Sequence, residues 1–185
     1  MVKLNSWEIA IIGIFSALHF AVASLNIFFE VFAHVTTDAI LCTAILLVAM
    51  FTTQRPGVAS FIGFTTGLLF FIFGNPIVSI PSWLTRGVVL DLIIFGLMRH
   101  KACCMKCTGI SAPIGFFTST MLGFGLSTLF FAGSRPFFFS LTFFVLVTLL
   151  GSGVSVIGGY LALKIDSRVA PIIRSRIGEK SVTQT

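Results

Sequence analysis

The stretch RPGVASFIGFTTGLLFFIFGNP, residues 55–76, decides how this chain is read. Arg55-Pro56-Gly57 opens it, with proline at a position that the first turn of a helix tolerates. Gly74-Asn75-Pro76 closes it, and Gly57–Gly74 between them carries no charged residue. Crossing ~30 Å of hydrocarbon takes about 20 apolar residues, and somewhat fewer where neighbouring helices shelter the span. Five further apolar stretches flank this one, at Trp7–Phe29, Thr37–Thr52, Pro81–Met98, Ile110–Ala132 and Phe137–Leu163. The reading is an all-α polytopic membrane protein of six transmembrane helices.

The basic residues order those helices. Lys3 precedes the first stretch, Arg55 follows the second, and Arg99, Lys101 and Lys106 follow the fourth. Lys164, Arg168, Arg174, Arg176 and Lys180 follow the sixth, whereas the other connections hold only Arg135. Positive charge marks cytoplasmic connections, so both termini are expected in the cytoplasm. A mean hydropathy of +1.06 and a charged fraction of 10% exclude an ordinary soluble domain, where about 25% would be charged. The net charge of +6 needs no nucleic acid, since ten of the twelve basic residues already anchor the cytoplasmic side. At 20.0 kDa the chain is one transmembrane domain, and residues 166–185 read as a basic tail at the headgroups. No G-x-x-x-x-G-K-[ST] motif is present, so uphill transport would need an ion gradient or a partner ATPase. Ala21-Val22-Ala23 resembles a signal-peptide cleavage site, but the apolar run continues past it, and the first helix is expected to stay.

Ionisable groups inside apolar spans cost about 2.5–3.5 kcal/mol each on insertion scales, so the few present here direct attention. Glu30 and His34 fall in the first outer connection, Asp38 one turn into the second helix, and Arg86 and Asp91 in the fourth. Five positions rotate a helix by about 500°, so Arg86 and Asp91 cannot share a face, and Asp38 becomes the natural partner of Arg86. With Trp83 and Asn75 these residues outline an outward-facing pocket for a heteroaromatic ligand. The alternative is an ion pair that only satisfies itself. His19 reads as a hydrogen-bonded packing residue. His100, Cys103, Cys104 and Cys107 form H-x-x-C-C-x-x-C, a weak metal candidate in a loop where thiols are kept reduced. No serine-hydrolase or H-E-x-x-H pattern appears; no enzyme and no cofactor are expected. Small residues recur every fourth position at Gly13, Ala17 and Ala21, at Gly63 and Gly67, and at Gly151, Ser155 and Gly159, allowing close helix approach.

Arg55-Pro56-Gly57-Val58-Ala59, then Gly74-Asn75, then Arg86-Gly87-x-x-x-Asp91, give the central third its character. In these motifs, and elsewhere in helix count and orientation, the chain resembles the substrate-binding S component of an energy-coupling-factor (ECF) vitamin transporter. Within that family it is most similar to the thiamine/hydroxymethylpyrimidine type. The resemblance implies a subunit that binds its vitamin from outside with high affinity. It then docks on a transmembrane T component driven by two cytoplasmic ATPases, and topples in the membrane to release the ligand. Carried over, Gly13, Ala17 and Ala21 are the docking face. Two features depart from the subgroup. Its third helix usually carries acidic residues and Val58–Phe73 has none, and Arg86 stands where it tends to have a neutral amide, favouring an anionic or carbonyl-bearing ligand. A stand-alone permease using His19 and Asp91, and a metal-binding or assembly protein centred on the cysteine loop, stay open at this point.

Overall fold

A computed structural model describes residues 6–25, 35–97, 105–131 and 137–182, with the helix course alone for 137–140 and 170–182. The described residues form helices and short turns, with no strand. Helix α1 is Ser6–Leu25, α2 is Val35–Thr53, and α3 is Val58–Ile72. Helix α4 is α-helical over Ser79–Asp91 and continues as a wider π segment, Leu92–Leu97. Helix α5 is Met105–Phe131 and α6 is Phe137–Val182. All but α3 are long and apolar enough to cross a membrane.

Helix α2 is apolar on every side, and a helix of that kind belongs in the interior. Leu46, Leu47, Ala49, Met50 and Phe51 are wholly buried there, and α1, α3 and α6 all pack on α2. Gln54 ends α2 in the left-handed conformation (φ 52°). Its N–H donates to the Met50 carbonyl at 2.8 Å and its Nε2 to the Phe51 carbonyl at 2.7 Å. Two of the carbonyls that a helix end leaves open are thereby satisfied.

The tightest pair is α3 with α4, joined by the turn at Gly74 (φ 91°). A Cβ on Gly63 would collide with the Trp83 carbonyl, one on Gly67 would lie 2.7 Å from Ile80 Cα, and one on Gly87 would collide with the Ala59 carbonyl. In lipid no hydrophobic force drives helices together, so close approach through small residues is what holds them. The stripe on α6 is also internal: Gly151 faces Phe116 and Val35, Gly159 faces Thr108, and Ser155 is buried. Only the stripe on α1 differs. Gly13, Ala17 and Ala21 are exposed, and a Cβ on Gly13 would meet nothing within 4 Å.

Two boundaries differ from the sequence reading. Helix α5 starts at Met105, so Pro113 lies two turns inside it and Cys107 is a buried helical residue, not part of a loop. Membrane helices accept an internal proline because neighbouring helices and hydroxyls re-satisfy the backbone. Helix α6 runs on to Val182 through the stretch read as a tail. Its Lys, Arg, Ile and Glu residues sustain a helix, and the first glycine after Leu163 is Gly178.

Candidate functional site

Arg86 is the largest fully buried side chain among the described residues, only 2% exposed. Burial of a guanidinium demands partners, and α2 supplies them. Arg86 Nη1 donates to Asp38 Oδ2 at 3.0 Å, and Nη2 donates to the Asp38 carbonyl at 3.1 Å and to Thr43 Oγ1 at 2.6 Å. Asp38 opens a π-helical segment, Asp38–Cys42, inside α2. A π turn interrupts the regular backbone ladder, and such turns concentrate at functional sites. Arg86 therefore matches both the side chain and the backbone carbonyl of the residue at which α2 widens. Its guanidinium carbon lies 5.7 Å from the Trp83 ring centre and 5.0 Å from that of Phe116 on α5, both within cation–π range.

Trp83 links this pair to a second one. His19 of α1 is wholly buried, and its Nδ1 shares a 2.9 Å hydrogen bond with Thr66 Oγ1 of α3, the donor depending on the tautomer. The imidazole meets the Trp83 ring edge-to-face at 5.0 Å. Phe70 stacks on Trp83 at 5.8 Å, and Phe20 packs against Phe70. Five helices thus converge on one half-buried indole, with two polar pairs and an aromatic wall around it.

Three polar atoms of this cluster are buried without a hydrogen-bond partner: His19 Nε2, Asp38 Oδ1 and Arg86 Nε. More than nine in ten buried polar groups in native proteins find a partner, so three open atoms around one indole mark a place built for something else to bind. The cluster has one donor-only atom (Nε–H), one acceptor-only atom (Oδ1), and one atom whose role follows its tautomer. It can hold a hydrogen-bonding molecule; its described residues hold no nucleophile activated by a base.

The expected site residues separate into groups. Asp38, Trp83 and Arg86 come together, and the Asp38–Arg86 pairing is as expected. Asp91 points elsewhere, as the helical rotation between it and Arg86 requires. Its Oδ2 accepts from Ser60 N at 2.8 Å and Ser60 Oγ at 2.6 Å, in the first turn of α3. Helix α3 has 15 residues, about 22 Å, so its open N–H groups start below the surface of a ~30 Å core. There a carboxylate on a neighbouring helix takes the place of water and opposes the positive end of the dipole. Asp91→Ala is expected to destabilise the protein by about 1–2 kcal/mol, the worth of a helix cap, with ligand binding retained. Chemical unfolding in detergent measures the first effect, and loss of binding in a folded Asp91→Ala protein would return Asp91 to the site.

Asn75 closes α3, its backbone N–H donating to the Phe70 carbonyl at 3.0 Å. Glu30, His34, His100, Cys103 and Cys104 lie outside the described residues, and among the described ones no group of three metal-ligating side chains occurs. Sequence reasoning missed Thr43, Thr66 and Phe116, and left His19 as packing. The available signal was Thr66 between Gly63 and Gly67, a hydroxyl on the very face those glycines press against α4. Compared with family models, curated proteins and solved structures, the chain matches none.

Proposed function

We propose that this chain is the high-affinity substrate-binding subunit of an ECF-type importer in the cell membrane, taking up a vitamin or vitamin precursor of the thiamine or hydroxymethylpyrimidine kind. Its termini are cytoplasmic and its six helices cross the bilayer, α3 as a short span. The observation that carries the reading is the buried Trp83 cluster with three open hydrogen-bonding atoms, which suits a small polar ring better than a purely structural ion pair. A second feature supports the partner side. Of three small-residue stripes, two are occupied by the chain's own helices, and the exposed Gly13, Ala17 and Ala21 remain for a transmembrane T component. With no phosphate-binding loop in the sequence, the energy comes from two ATPase subunits beneath that component.

Purification in detergent followed by mass spectrometry of the co-purified small molecule tests the reading. A vitamin-like compound together with an ATPase pair supports it. Transport by the chain reconstituted alone would make it a stand-alone permease instead. Ala17→Leu combined with Ala21→Leu is expected to lower uptake at least about 10-fold while ligand binding by the purified subunit is unchanged, because two bulky side chains prevent close helix approach. Full uptake in the double variant would remove the docking role from α1.

A further inference from the structure

We infer that the group seated against Trp83 is an uncharged, planar nitrogen heterocycle, held by His19 Nε2, Arg86 Nε and Asp38 Oδ1, and that a cation or an anion is rejected there. This rests on the ligand-binding reading above and narrows it. The described residues of the cluster contain two formal charges, Arg86 and Asp38, and these oppose each other at 3.0 Å. Asp91, the other buried carboxylate of the fourth helix, is engaged at the start of α3. A charged ligand group would therefore lose its hydration and meet no unmatched counter-charge. The expectation that Arg86 recruits an anion, or the carboxylates a cation, does not survive the pairing.

Single hydrogen-bonding atoms remain open, and they are complementary. Arg86 Nε–H can only donate and Asp38 Oδ1 can only accept, and they belong to the two halves of one ion pair. A ring carrying an acceptor nitrogen beside an N–H or amino group matches both without bringing charge. His19 Nε2 adds a third contact from α1. The Thr66 hydroxyl can donate to Nδ1 or accept from it, so Nε2 can serve either as donor or as acceptor. Trp83 and Phe116 make the surroundings flat and aromatic, which favours a ring over an aliphatic polar chain.

The test uses the full chain in detergent, with unfolding followed by tryptophan fluorescence, against two probe sets of similar size. The uncharged set is 4-amino-5-hydroxymethyl-2-methylpyrimidine, nicotinamide and lumichrome; the charged set is thiamine, 1-methylnicotinamide and nicotinate. The expected result is a raised melting temperature with a member of the uncharged set and none with the charged set. Binding of that probe should weaken about 10-fold or more in His19→Asn, whose amide keeps a partner for Thr66 but offers nothing at the Nε2 position. His19→Gln, which carries an amide near that position, should retain more. Where a variant does not fold, the unaltered protein labelled with 15N-histidine supplies the same information. The probe should then move one Nε2 resonance among the three histidines. A charged probe binding as tightly as its uncharged counterpart, with the same dependence on His19, overturns the charge class and leaves the binding site standing. Binding of an uncharged probe that ignores His19 overturns the site. No shift with either set and no co-purified compound overturns the ligand-binding reading and this inference with it.

Discussion

Arg86→Met should destabilise the protein by about 3–5 kcal/mol, the cost of leaving a buried charge without its partner. The side chains of Arg86 and Asp38 are 2% and 16% exposed, so little solvent is available to take over when one of them is lost. Asp38 would lose the donor to its carboxylate, its backbone carbonyl would lose a donor at the π segment, and Thr43 would lose its contact. In a bilayer each of these groups has no water to turn to. Asp38→Leu alone should be comparably harmful, because it strands the guanidinium. The double replacement, Arg86→Met with Asp38→Leu, should recover a large part of the stability, since removing both charges ends the desolvation problem as well as the attraction. It should abolish ligand binding all the same. Denaturant unfolding in detergent gives the coupling from the four proteins, and additive losses would show that the two side chains do not form a pair. A double variant that regains stability and also binds would show that the pair is purely structural.

Gly87→Val should separate α3 from α4. Even its Cβ would collide with the Ala59 carbonyl, and a backbone atom cannot swing aside as a side chain does. The two helices must part, and with them goes the close packing that substitutes for a hydrophobic force in lipid. A loss of about 3 kcal/mol, the upper end for overpacking, is expected, with much of the protein failing to fold. Trp83 and Arg86 are carried on the same helix, so ligand binding should fall in parallel. Gly13→Val is the contrasting case. Its Cβ meets nothing within 4 Å, and stability should stay within about 0.5 kcal/mol of the parent. Thermal unfolding of both variants read side by side decides the matter. Equal melting of the two would mean that α3 and α4 do not approach as described.

The helical plan was largely legible in residues. Gly74-Asn75-Pro76 and Arg55-Pro56-Gly57 bracket a helix found at Val58–Ile72, and the turns they make need glycine where φ reaches 90° at Gly57 and 91° at Gly74. The Asp38–Arg86 pair was also legible, because an arginine inside an apolar span must find a carboxylate and few were on offer. The roles of His19 and Asp91 were not. Each is a lone polar residue on an apolar helix, and its partner sits 47 or 31 positions away in the chain. Nor could spacing tell which small-residue stripe stays uncovered, since all three repeat every fourth residue.

By itself the sequence determined what every residue needs from its surroundings: the apolar runs need lipid or each other, the basic connections need headgroups, and buried Arg86 needs an acceptor. These requirements are local, set by side-chain chemistry and helical period. Only the tertiary structure decided which partner meets each requirement. It gave Asp38 and Thr43 to Arg86, Ser60 to Asp91 and Thr66 to His19, and left three polar atoms open around Trp83. The physical reason is that helix rotation and crossing, governed by glycine contacts between distant segments, choose the facing side chains, and no periodicity within one segment carries that information.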